Sequence, residues 1–216
     1  MCDGCIRLRL KVAARFFPDR LMIENLRIES LTSMKTPFDI TKAAKVAHFF
    51  ITRAGDEIEI LRLVKLIYLT DRLSLEKRRI LVVGGSFYSL KHGPVTSEVL
   101  DLINDGTRDG DSHWEQLITD RANHMVATTG TLEDYDALAP SELRLLEQVW
   151  ERFGNKNKWD LVRWTHQHCE EWSDPSGGRI EISARKLAQS FGWKSVEMDD
   201  FEAELSAQCR LQELLS

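Results

Sequence analysis

The reading of the fold turns on LVKLIYLTDRLSL (Leu63–Leu75), followed after a polar break by GGSFYSLKHGPVTSEVLDLIND (Gly84–Asp105). In the first piece Leu63, Val64, Ile67 and Tyr68 recur at spacings of three and four, with Ile60 just ahead. That spacing predicts a core-facing stripe on a helix running from about Glu57 to Arg78. Ile80–Val83 is β-branched, apolar and short enough to be a strand. Gly84 and Gly85 break it, and Phe87–Leu90 reads as a second short extended piece. Pro94 suits the first turn of a further helix carrying Val95, Val99, Leu102 and Ile103 and stopping at Gly106.

Working outward, Asp39 or Thr41 can cap a helix through about Ala54, with Ala44, Ala47, Phe50 and Ile51 on one face and Gly55 as its stop. Thr107–Ser112 is a polar loop. Trp114–Thr129 has the look of a hairpin turning near Ala122 and Asn123. Helices follow from Pro140 to about Phe153, from Lys158 to Cys169, from a Ser183 cap to Phe191, and from about Asp199 to Leu214. Trp172–Gly178 is a turn-rich loop between two of them. The expected fold class is mainly α (α+β): one compact helical domain with a small antiparallel β element.

Residues 1–33 differ in character. Arg7, Arg9, Lys11, Arg15 and Arg20 make the front basic, and Leu8, Leu10 and Val12 alternate as a short strand would. Met34 opens MKTPFDITKAAKVAHFF, which reads as a natural protein start. The expected division is a loosely attached extension over 1–33 and the main domain over 34–216.

Composition narrows the function. With 43% hydrophobic and 29% charged residues, the 216-residue chain has the balance of a soluble globular protein. Its net charge of −5 argues against a basic nucleic-acid binder, so direct nucleic-acid binding is not expected. The densest basic run, Lys77–Arg79, suits a helix C-terminus. No apolar run reaches the roughly 20 residues of a membrane span, and the expected compartment is cytoplasmic. Cys2 and Cys5 form a C-x-x-C, but no second pair completes a zinc site. Cys169 and Cys209 read as free thiols. No phosphate loop, G-x-S-x-G, H-E-x-x-H or dinucleotide fingerprint occurs.

Three blocks resemble the Panacea, or SocA-like, antitoxin domain of prokaryotic and phage toxin–antitoxin pairs. LVKLIYLTDRLSL is similar to that family's Lys-Leu-x-Tyr helix. FYSLKHGPV (Phe87–Val95) is similar to its aromatic-x-x-x-Lys-aromatic-Gly-Pro-Val turn. THQHCEEW (Thr165–Trp172) is similar to its Thr-His followed six residues later by Trp. The likeness spans about Phe38–Gly192. His92 stands where the family usually has an aromatic residue, and His168 and Cys169 where small or acidic residues are common. The resemblance implies an antitoxin without cofactor or bound metal, and not an enzyme. Its partners would be a cognate toxin encoded nearby, masked through an interface of roughly 1,200–2,000 Å², and in an adaptor role a Clp-type protease. The resemblance casts Lys65, Tyr68, Phe87, Lys91, Gly93, Pro94, Val95, His166 and Trp172 as motif residues that shape the domain.

Candidate contacts to the toxin are Tyr68, Asp71, Lys91, His92, Glu98 and Trp172. All but Glu98 have a structural alternative. Lys65, Tyr68 and Asp71 lie three apart on one helix, so Tyr68 can be buried with its hydroxyl bonded and Lys65 can pair with Asp71 or another acid. Gly93 and Pro94 shape a corner, and the amides beyond it can receive an acidic group. His166 and His168, two apart on a helix, should not converge on one ion. His166 can hydrogen-bond inside the domain while Trp172 fills a gap. The rival functions are a small hydrolase using His92, His166 and Cys169, and a transcriptional regulator.

Overall fold

The computed structural model describes residues 36–106, 113–119, 122–129, 132 and 134–215. The readings of residues 1–33, of Cys2 and Cys5, of the Met34 start and of the 107–112 loop lie outside that set.

In chain order the elements are α1 (Ile40–Arg53), β1 (Glu57–Glu59), α2 (Ile60–Arg78), β2 (Phe87–Leu90), β3 (Gly93–Thr96), α3 (Ser97–Asp105), α4 (His113–Leu117) and β4 (Met125–Ala127). They continue as α5 (Pro140–Phe153), α6 (Lys158–His168), β5 (Ile180–Ile182), α7 (Ala184–Gln189) and α8 (Ser195–Leu215). The fold is mainly helical with small antiparallel sheets, as the periodicities implied.

The 19-residue α2 is the axis. It packs against α1, α5, α6, α3, α7, β1 and β3. Leu63 to Asp71 is buried without interruption, more than the expected single stripe, so every polar side chain in that run needs an internal partner. Asp39 caps α1 by accepting the Lys42 amide at 2.9 Å. Asn157 caps α6 through the amides of Trp159 and Asp160. Ser183 caps α7 through that of Lys186.

Four local expectations are corrected. Residues 57–59 form not the first turn of α2 but a strand, pairing antiparallel with β4 from Glu57↔Ala127 to Glu59↔Met125. Asp56, at φ +70°, turns the chain out of helical geometry there. Residues 80–83 are a loop, because Asp71 takes the amides that a strand would give to a neighbour. Pro94 lies in β3, not in a helix; α3 begins only at Ser97. In the sheet β3-β2-β5, β3 is an edge, where the missing proline N–H does no harm. The hairpin over 114–129 is shorter than expected: its first residues are helix α4, while Ile118↔Thr128 and Ala122↔Met125 bridge antiparallel around the expected turn, which Asn123 (φ +51°) and His124 (φ +62°) carry. Trp114 is buried on α4, which packs against α1, and Met125–Ala127 takes β1 as its strand partner. β5, which pairs with β2 from Phe87↔Ile182 to Ser89↔Ile180, lies in a stretch the periodicity left unassigned.

Candidate partner-binding site

The three polar residues spaced along α2 each fasten a different piece of chain. Lys65, Tyr68 and Asp71 are all 0% exposed. Lys65 Nζ donates to the Pro94 carbonyl at 2.7 Å; it pairs with neither Asp71 nor another acid among the described residues. Burial pulls its ammonium down to about 7. The Tyr68 hydroxyl donates to Glu171 Oε1 at 2.5 Å, and Arg72 Nε donates to the same oxygen at 2.8 Å. Burial, with Glu171 beside it, holds the phenol well above its usual range. Asp71 Oδ1 accepts from the amides of Val82 (2.6 Å) and Val83 (2.9 Å), and Oδ2 from Gly84 (3.0 Å). Burial pushes that carboxyl up to about 6 although the three donors pull the other way. Tyr68 and Asp71 therefore present no surface to a partner in this conformation.

The β2–β3 hairpin is anchored on this helix. Phe87 is buried and meets the Tyr68 ring edge-on at 5.8 Å. Gly93, at φ +97°, takes a conformation that favours glycine. A Cβ there would lie 2.6 Å from Thr165 Oγ1 and 3.1 Å from Lys65 Nζ, so the hairpin backbone rests directly on α2 and α6. Val95 is buried beneath it. From the other side the Trp172 indole N–H donates to the Leu90 carbonyl at 3.0 Å. The His166 ring stacks on that indole at 3.8 Å. His166 Nε2 is buried without a hydrogen-bond partner among the described residues, so the expected internal hydrogen bond is not made at that atom. Burial, and then the Lys65 charge, lower the His166 pKa. His168 turns away and stacks on Trp164 at 4.6 Å.

Glu98, half-buried, accepts the Ser86 amide at 2.7 Å and the Ser86 hydroxyl at 2.8 Å, securing the entry to β2. Cys169 is buried, and burial pushes its thiol up to about 12. It is no ready thiolate. His92, His166 and Cys169 make no hydrogen bond to one another among the described residues. Nor do three or more His, Cys, Asp or Glu side chains gather there in a metal-holding group.

What the hairpin leaves open is its tip. Lys91 and His92 are exposed at the turn, beside a cleft of about 640 Å³ between the start of α2, the hairpin, α3 and the start of α6. Its walls include Leu61, Val64, Leu90, Val95, Leu100 and Trp159. Trp159 is 48% exposed and meets the His92 ring edge-on at 5.5 Å. Sequence reasoning had not placed Trp159 at a site, and it gave Glu171 no role. The forewarning of Trp159 in the sequence is that six tryptophans are many for 216 residues, enough to leave one or two as exposed anchors.

A family model described as antitoxin SocA-like, Panacea domain, matches residues 63–173, just over half of the chain. The chain belongs to the SocA-like Panacea antitoxin family. The matched segment of this Panacea protein runs from the start of the buried α2 run through the hairpin to Ser173, and so contains Lys65, the Gly93–Pro94 corner and Trp172. No curated protein and no solved structure matches the chain. Family membership points to a toxin–antitoxin role and to a toxin as partner in general terms. No described helix is long and apolar enough to cross a membrane.

Proposed function

We propose that this Panacea protein is an antitoxin that neutralises a cognate toxin by direct binding, covering the toxin's active surface. The observation that carries the reading is the family match over 63–173. The geometry is consistent with it. The polar side chains of the buried run Leu63–Asp71 are committed to internal partners, while an apolar cleft with an exposed tryptophan lies open beside the hairpin tip. Tryptophan is enriched among the residues that dominate protein–protein binding. The contact set we propose is Lys91, His92 and Trp172 at the hairpin, with Glu98 at its margin. We take 34–216 as the functional unit, because α1, α7 and α8 surround the matched segment. Burial of Cys169 disfavours the hydrolase alternative, and the acidic total disfavours a DNA-binding regulator.

An adaptor role draws support from a separate feature. The far end of α8 carries Leu211 at 59% and Leu214 at 83% exposure, an apolar handle that a Clp-type protease can engage.

The test is expression of the adjacent open reading frame with and without this chain. Growth arrest by the neighbour alone, relieved by the chain and accompanied by a stable complex of the two, is the expected result. A harmless neighbour that forms no complex would overturn the reading.

A further inference from the structure

The cleft at the hairpin tip combines two properties that select its occupant. Its walls are mostly hydrocarbon: the apolar side chains named above, with the half-exposed Trp159 indole standing at the mouth. The formal charge left unpaired at its rim is of one sign. The carboxylate on the cleft wall, Glu59, is already matched by Lys158 at 2.6 Å. Lys91 at the rim has no ion-pair partner among the described residues. His92 and His124 add exposed imidazoles, whose ring N–H groups can donate to an anion. This cationic rim sits on a chain whose net charge is −5, so it runs against the sign of the whole molecule. Unpaired charge of one sign around an apolar groove attracts a partner of the opposite sign and rejects its own.

Resting on the antitoxin reading, we propose that this cleft grips an apolar, acidic segment of the toxin. Its hydrophobic side chains pack against Trp159, Leu61 and Leu100, and its carboxylates meet Lys91, His92 and His124. A volume of about 640 Å³ is in the range of pockets that enclose a small set of groups rather than a whole protein face. The cleft is therefore the anchor of a larger interface, the part into which a few side chains of an amphipathic segment insert.

The test uses the full chain and two fluorescein-labelled peptides. One has leucines at helical spacing and glutamates elsewhere; the other has lysines in place of the glutamates. Anisotropy titrations are expected to show binding of the acidic peptide, weakened by added salt, and much weaker binding of the basic one. Trp159→Ala and the charge reversal Lys91→Glu are each expected to weaken the acidic peptide by at least about tenfold. Arg144→Glu, an exposed cation on α5 away from the cleft, is expected to leave it unchanged. Trp159 and Lys91 are surface residues, and an unchanged melting temperature verifies that both variants fold. Equal binding of the two peptides, binding of neither, or undiminished binding by both cleft variants would overturn the proposal.

Coexpression separates this inference from the reading beneath it. If the wild-type chain neutralises its neighbour and both cleft variants do so equally well, the cleft proposal fails and the antitoxin reading stands. If the neighbour is not neutralised while the acidic peptide binds in the expected pattern, the antitoxin reading fails and the cleft remains a site for acidic, apolar segments.

Discussion

Tyr68 and Glu171 are 103 positions apart in the chain, yet the phenol donates to the carboxylate at 2.5 Å, and neither side chain is more than 1% exposed. Arg72 closes the pair into a triad at 2.8 Å. This contact ties the axis helix to the segment following α6, and it sets the position of Trp172, the next residue along.

Removing the carboxylate strands a guanidinium and a hydroxyl in a poorly solvated place. Glu171→Ala is expected to cost about 3–5 kcal/mol in urea unfolding, the range for breaking a buried pair from one side. Glu171→Gln keeps an acceptor for Tyr68 and is expected to cost clearly less. Equal losses for the two would remove the charge of Glu171 from the account.

Asp71 serves the 82–84 loop as a neighbouring strand would. In Asp71→Asn, an oxygen kept toward Val82 and Val83 leaves the amide nitrogen facing the Gly84 N–H, donor against donor. Hydrogen exchange is therefore expected to accelerate most at Gly84. In Asp71→Ala all three amides lose their acceptor, at about 1–3 kcal/mol for a buried unsatisfied group. Unchanged protection at all three amides in either variant would contradict the assignment.

Lys65 predicts a pH dependence of known sign. Its native value is about 7, against an ordinary value of 10.5. Between those limits the unfolded chain holds a proton that the native chain has released. The contribution of Lys65 to stability therefore rises with pH from about 7 towards 10, and is level below 7. Thermal unfolding compared at about pH 7 and about pH 9.5 is expected to show this gain in the wild type and its loss in Lys65→Met. A variant with the same slope as wild type would refute it.

Gly93 is constrained twice, by its backbone and by Thr165. Gly93→Ala is expected to cost about 1–3 kcal/mol from positive-φ strain alone, with the Thr165 clash added. Part of that clash should be recovered in the double variant with Thr165→Ala, because adjacent sites couple. Strict additivity would mean that the hairpin backbone does not rest on Thr165.

The helices were legible because their signals are local. The stripe of α2, the Asp39 cap and the Pro140 start all lie within a few residues of what they determine. The burial of Tyr68 and Asp71 could be suspected from their spacing, but their partners could not be named. Glu171 has no periodicity of its own, and its role appears only when two distant segments meet. Pro94 misled because proline at a helix start and proline on an edge strand look alike in sequence, and the deciding fact is the pairing Ser89↔Pro94. The cleft was hidden for the same reason. Its walls come from segments spread between Glu59 and Gly178, and no single window of sequence holds them all.

The hairpin is fastened on both strands just short of its turn, by Lys65 at Pro94 and by Trp172 at Leu90, whereas Lys91 and His92 in the turn itself carry none of that fastening. Substitution at those two positions is expected to leave the scaffold intact, and on the proposed reading it would alter which toxin the molecule accepts. On the proposed reading, a change of toxin would pass through these two codons without disturbing the fold.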